Sequence, residues 1–136
     1  MDALDEAVFD RMTGLASFEA DRVWWDLAFG DPGLPLAVLR AMPSIPPEYD
    51  SSNLGVEERT IRVSVYAATR DRVRELLREV ETAFVMQALA LSRGSVMHCL
   101  KGSDDCFLDP DRDEDAELVW HGVIDLVFSV CRTPGD

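Results

Sequence analysis

The densest chemistry in this sequence is a run of carboxylates. Between Ser103 and Glu117 stand Asp104, Asp105, Asp109, Asp111, Asp113, Glu114, Asp115 and Glu117, with only Lys101 and Arg112 as nearby cations. A hard cation is the first ligand such a set suggests, and Asp109-x-Asp111-x-Asp113 copies the opening of a calcium loop. The copy then fails. Glu114 stands where the tight turn needs glycine, Pro110 stiffens the start, and Trp120 occupies the place of the bidentate glutamate. What remains is a solvated loop or an electrostatic surface. Burying unpaired carboxylates is costly, so these groups stay in water or meet a basic partner. Like charges also repel over about a Debye length, ~8 Å in physiological salt. The segment Ser103–Glu117 is therefore expected to be an exposed, partner- or lumen-facing loop that folding does not need.

The other reactive residues do not assemble into a site. His98, Cys99, Cys106, His121 and Cys131 could be drawn as a zinc set, but the chain has no CxxC. His98 and Cys99 are neighbours in a predicted strand and so point to opposite faces. His121 and Cys131 lie at opposite ends of another predicted strand, about 33 Å apart at ~3.3 Å per residue, which excludes a Cys–His nucleophile pair there. No glycine-rich phosphate loop, G-x-S-x-G or H-E-x-x-H is present. No catalytic residue, cofactor or metal is expected. Trp24 and Trp25 fall on opposite faces of a strand, as core or as interface anchors.

The elements that position these residues follow from periodicity. Leu4, Val8, Met12 and Leu15 recur at helical spacing, with Asp2, Asp5 and Glu6 in the first turns, where the helix dipole favours them. Val23 to Phe29 alternates as a strand, Gly30-Asp31-Pro32-Gly33 signals a turn, and Leu36 to Met42 reads as a second strand. Pro43, Pro46 and Pro47 then stop regular pairing, and 49–55 reads as a loop. In Glu57–Ala67, Ile61, Val63 and Val65 alternate with Arg62, Ser64 and Tyr66. Thr69 is an N-cap candidate for a helix whose apolar stripe is Val73, Leu76, Leu77, Val80 and Phe84. Gln87, Ala88 and Leu91 continue that period, so the helix is expected to reach Leu91, with Arg93-Gly94 as its stop. A short strand, Ser95–Leu100, precedes the acidic segment, where Phe107 and Leu108 offer a short paired piece. Glu117–Cys131 closes the chain as a strand apolar on both faces, the mark of a central strand covered on two sides. The expected fold is one α+β domain over residues 1–136, an antiparallel or mixed sheet of about four to five strands with two helices mainly on one face.

Composition narrows the partners. The 136 residues hold thirteen Lys and Arg against twenty-six Asp and Glu, a formal charge of −13. Such a surface repels phosphate and argues against nucleic-acid binding. Twelve of the thirteen basic residues are Arg. Hydrophobic residues make up 47% of the chain, enough for one core, and a domain of this size buries roughly two thirds of its unfolded surface. No stretch approaches the ~20 apolar residues of a membrane span. The acidic start lacks the pattern of a signal peptide, and three cysteines without paired spacing fit a reduced cytosolic chain.

The order of elements resembles the tail-terminator, or tail-completion, proteins of long-tailed bacteriophages and related prophage particles. The residues that carry the likeness are the N-terminal helix leading to Val23-Trp24-Trp25-Asp26, the Pro-bearing stretch Gly33–Leu39, and the strand Glu58–Ala67 followed directly by the helix from Thr69 to Glu81. The acidic tip and the final strand ending Ile124-Asp125-Leu126-Val127-Phe128 complete it. The likeness implies a structural protein of the virion tail or neck, assembled in the host bacterial cytoplasm, with no catalytic residues. It implies self-association into a ring, typically a hexamer, that caps the tail tube and joins it to a head-side connector or stopper protein. DNA would then be a passing polymer that is not bound. Six copies at −13 each carry −78, and an acid-lined lumen would repel phosphate. The competing reading is an acidic DNA mimic that inhibits a nucleic-acid-binding partner. A mimic spreads its acids along one elongated face, whereas here they concentrate in Ser103–Glu117.

Overall fold

The computed structural model describes residues 3–18, 22–26, 28, 33–43, 56–108 and 119–131. The elements run α1 (Ala3–Thr13), β1 (Val23–Trp25), β2 (Leu36–Ala41), β3 (Val56–Ala67), α2 (Arg70–Phe84), β4 (Ser95–Leu108) and β5 (Trp120–Cys131). The five strands form one sheet in the order β1-β2-β3-β5-β4. β1 pairs parallel to β2, and every other pairing is antiparallel. The class is α+β with a mixed sheet, as the sequence suggests.

The sheet forms because its two long inner strands each carry one apolar row. Ile61, Val63, Val65 and Ala67 of β3 are buried, and they lie beside Ile124, Leu126 and Phe128 of β5, with Val63 opposite Ile124 and Ile61 opposite Leu126. α2 covers this row with Val73, Leu76, Leu77, Val80 and Phe84. The Thr69 side chain caps it, accepting the Arg72 N–H at 3.2 Å. The helix comes so close that a Cβ on Gly122 would sit 2.5 Å from Val73 Cγ1, which only glycine avoids. α1 adds Leu4, Val8 and Met12 to the same core, and Arg59 of β3 holds Asp5 of α1 at 3.3 Å. Ile61, Val63, Val65, Val73, Leu77, Val80, Ile124, Leu126 and Phe128, the core set that the stripes predict, are all buried.

Four local expectations change. α2 stops at Phe84 because Val85 turns extended and Met86 adopts a left-handed backbone, φ 59°. The Met86 N–H then bonds the Cys99 carbonyl at 2.9 Å, so the residues that continue the helical period serve the strand side instead. Leu89 still reaches the core. β4 is fourteen residues long, running as far as Leu108 into the stretch read as an acidic loop or hairpin tip, and two register shifts, at Val96/His98 and Lys101/Asp104, absorb its irregular pattern. β1 is only three residues long, ending before Asp26 at φ 63°; Leu27 and Phe29 lie outside the described residues. Lastly, among the described residues a helix covers β5 on one face only. Its other row, His121, Val123, Asp125 and Val127, is half-buried, and His121 and Val123 line an open groove on that face of the sheet.

Candidate assembly surfaces

Of the acidic set, Asp104 and Asp105 lie within the described residues; Asp109, Asp111, Asp113, Glu114, Asp115 and Glu117 lie outside them. Asp104 and Asp105 are exposed as expected but sit on β4, not in a loop. The strand splits them. Asp104 is in register with Ile124, on the helix-covered side, and Asp105 with Val123, on the open side. Lys101 lies between Asp104 and α2, its Nζ 3.5 Å from Asp104 Oδ2 and 3.2 Å from Glu81 Oε1. Those carboxylates, Glu81 first, raise the Lys101 pKa above its ordinary value.

The open face forms a groove of about 560 Å³ lined by Asp26, Val38, Arg40, Tyr66, Asp105 and Val123 among others. At its centre Arg62 grips Asp125 with two bonds, Nε to Oδ1 at 2.8 Å and Nη2 to Oδ2 at 3.2 Å. The Ser103 hydroxyl donates to the same carboxylate at 3.2 Å. The Arg62 hydrogen bonds hold the Asp125 pKa below the usual carboxylate range and raise that of Arg62. Tyr66 and His121 stack beside them with ring centroids 4.3 Å apart. This is a mixed polar and apolar contact surface whose central charges neutralise each other.

A second surface is the flank of α2. Arg70, Arg74 and Arg78 recur every four residues and all are exposed. The Arg70 guanidinium lies over the Trp120 ring, 6.0 Å from its centroid. Arg74 and Arg78 form no ion pair among the described residues; with Leu77, Glu81 and Asp104 they line a shallow groove of about 240 Å³. Arg72, by contrast, pairs with Glu75 at 3.0 Å and donates to the Ser17 hydroxyl at 3.1 Å. In the sequence Arg70, Arg74 and Arg78 stand outside the apolar stripe of the helix, together with Arg72. Their separation from the paired Arg72 is set by the fold.

The candidate nucleophiles and metal ligands stay apart. Cys99 is buried in the core, and burial pushes its thiol up to about 12, away from nucleophilic use. His98 is exposed on the opposite side. Among the described residues no three His, Cys, Asp or Glu side chains are placed to hold a metal. Likewise, no helix there is long and apolar enough to cross a membrane.

A two-helix, mixed-sheet α+β unit whose notable features are contact surfaces is built for assembly, and the comparisons with known proteins agree. The family model of tail completion protein gp17 matches residues 6–127, and the chain belongs to that family of non-enzymatic phage tail proteins, structural components of the virion. Solved structures share the fold. A chain from the virion of a native gene transfer agent particle is 19% identical, with a TM-score of 0.65, covering 94% of this chain and 95% of its own. A second solved chain, 13% identical, has a TM-score of 0.59 over 97% of this chain and 93% of its own. No curated protein sequence matches.

Proposed function

We propose that the chain is a tail terminator: a single-domain subunit of a six-fold ring that closes the head-proximal end of the tail tube and joins it to a head-side connector. The family match over residues 6–127 carries the reading. The likeness to a chain from the virion of a native gene transfer agent particle supports a place within a virion assembly. The molecule also suits the task. Its open sheet face leaves Val123 and Val127 half-buried, which is what a subunit with further neighbours needs. The charge of −13 per copy disfavours retention of passing DNA. Asp104 and Asp105 facing opposite ways gives no support to a DNA mimic, which needs its acids on one face.

In this role Ser103–Glu117 is a surface that tunes assembly. Neutralising Asp109, Asp111, Asp113, Asp115 and Glu117 to Asn, Gln or Ser should leave thermal stability unchanged or slightly raised, while altering ring formation or tail joining. A neutralised chain that assembles particles of normal infectivity would remove the acidic segment from the mechanism. One that unfolds would show that the segment is structurally paired.

A further inference from the structure

The groove on the open sheet face carries the chemistry that recognises a guanidinium. Within it Arg62 is answered by Asp125, and Asp104 by Lys101, so Asp26 and Asp105 stand against Arg40 alone. Asp105 Oδ1 accepts the N–H of its neighbour Cys106 at 2.8 Å, and neither Asp26 nor Asp105 forms an ion pair among the described residues. Carboxylates bind arginine through charge-assisted, often bidentate hydrogen bonds. Tyr66 and His121 line the groove too, and aromatic rings are the other surface an arginine favours, as Arg70 shows on Trp120. Half-buried Val123 adds an apolar wall, on a strand whose two apolar rows are those of one covered on both sides.

The exposed flank of α2 has the arginines and the length to match. Arg70 to Arg78 spans about 12 Å at 1.5 Å per residue. On the open face Val38, Ser64, Val123 and Asp105 stand side by side across β2, β3, β5 and β4. That row is three strand spacings wide, about 14 Å. A chain's own α2 cannot supply these arginines to its own groove. The helix packs on the other face of the sheet, with Val73 and Leu77 against Gly122, so stripe and groove lie on opposite sides of one layer. Charge points the same way. Copies at −13 each repel in most orientations, so contact between them needs local patches of opposite sign. Arg59, Arg62, Arg72 and Lys101 are tied to carboxylates of their own chain, whereas Arg74 and Arg78 form no ion pair among the described residues.

We propose that the Arg70–Arg74–Arg78 flank of α2 packs across the open sheet groove of a second copy of this chain, its guanidiniums on Asp26 and Asp105 and its arginine stems over Val123. Long arginine stems cover apolar surface while their heads stay polar, which suits a groove with both. The inference rests on the ring reading and names its subunit contact. One surface of each copy meets a different surface of the next, the head-to-tail arrangement that closes into a ring when the rotation fits.

The test uses two full-length chains of altered charge, one with Arg74→Glu and Arg78→Glu, the other with Asp26→Asn and Asp105→Lys. All four positions are exposed, and Asn at 26 tolerates the left-handed backbone there, φ 63°. Circular dichroism checks the fold. A chain that does not fold is replaced by its neutral counterpart, Arg74→Gln with Arg78→Gln or Asp26→Asn with Asp105→Asn, and the mixture should then still assemble better than either chain alone. Sedimentation velocity, alone and with purified tail tubes, reads ring formation. The wild type should form rings, and each altered chain should need about tenfold more protein to do so. An equimolar mixture should recover wild-type assembly, since every contact in an alternating ring is then oppositely charged. If the wild type rings and the altered chains ring equally well, the contact is wrong and the ring stands. If only one altered chain is weakened, or both are and their mixture does not recover, the two surfaces are not partners and the proposal is overturned. If the wild type forms no ring under either condition, the ring reading itself falls and takes this contact with it.

Discussion

The contact between α2 and β5 offers a sharp test of how the arginine-bearing helix is held. A Cβ added at Gly122 would lie 2.5 Å from Val73 Cγ1 and 2.9 Å from Leu77 Cδ1, both in the packed core. Both are methyl ends of buried side chains with little room to move, so Gly122→Ala must displace them or the helix that carries them, at a cost of about 1–3 kcal/mol for overpacking. Val73→Ala removes two methyl groups from a fully buried position, a loss of about 2 kcal/mol including a small cavity. Together the two changes should not add, because the new methyl enters space the valine vacates. A double-mutant cycle by urea unfolding should show the pair at least ~1 kcal/mol less destabilised than the sum, with unchanged m-values. Additivity within ~0.5 kcal/mol would refute the close approach and, with it, the placement of Arg74 and Arg78 relative to the β4–β5 hairpin.

Other expectations follow from the same geometry. Leu77→Ala should cost about 2–5 kcal/mol by chemical denaturation, and a loss below ~0.5 kcal/mol would place the stripe in solvent. Because Arg62 depresses the Asp125 pKa in the folded state, the pair's contribution is present above the ordinary carboxylate range and fades as pH falls through the folded value. Asp125→Asn should therefore lower stability at neutral pH and differ little from the wild type near pH ~2, as a pH series of thermal melts would read. Cys99, with its thiol pushed up to about 12, should resist a thiol reagent at pH ~8 until the chain unfolds, whereas half-buried Cys106 and Cys131 should react first.

The sequence makes the core legible because burial leaves a period. Alternation in Ile61–Val65 and the 3.6-residue stripe from Val73 to Phe84 each identify one covered face, and Thr69 supplies a cap that only a helix start uses. Legibility fails where local pattern and tertiary pairing disagree. Gln87, Ala88 and Leu91 fit a helix, yet a backbone bond from Met86 to Cys99 draws the chain toward β4. Lys101 to Asp105 reads as loop because edge strands carry charge, and its two bulges erase the alternation that would reveal a strand. Val123 and Val127 signal a two-sided strand correctly in chemistry; within one chain that second side forms the wall of a groove. For the candidate surfaces, the acidic series is plain in the sequence, but which arginines stay out of ion pairs among the described residues depends on Ser17, Glu75 and Lys101, contacts that only folding assigns.

The central claim concerns position in a particle, and the most direct measurement is electron microscopy of virions or tails carrying a gold-tagged copy of this chain. The expected image is a ring of label at the head-proximal end of the tail tube, with tubes from a strain lacking the chain failing to join heads. Label at the distal tip or on the capsid shell, or normally joined particles without the chain, would contradict the terminator role.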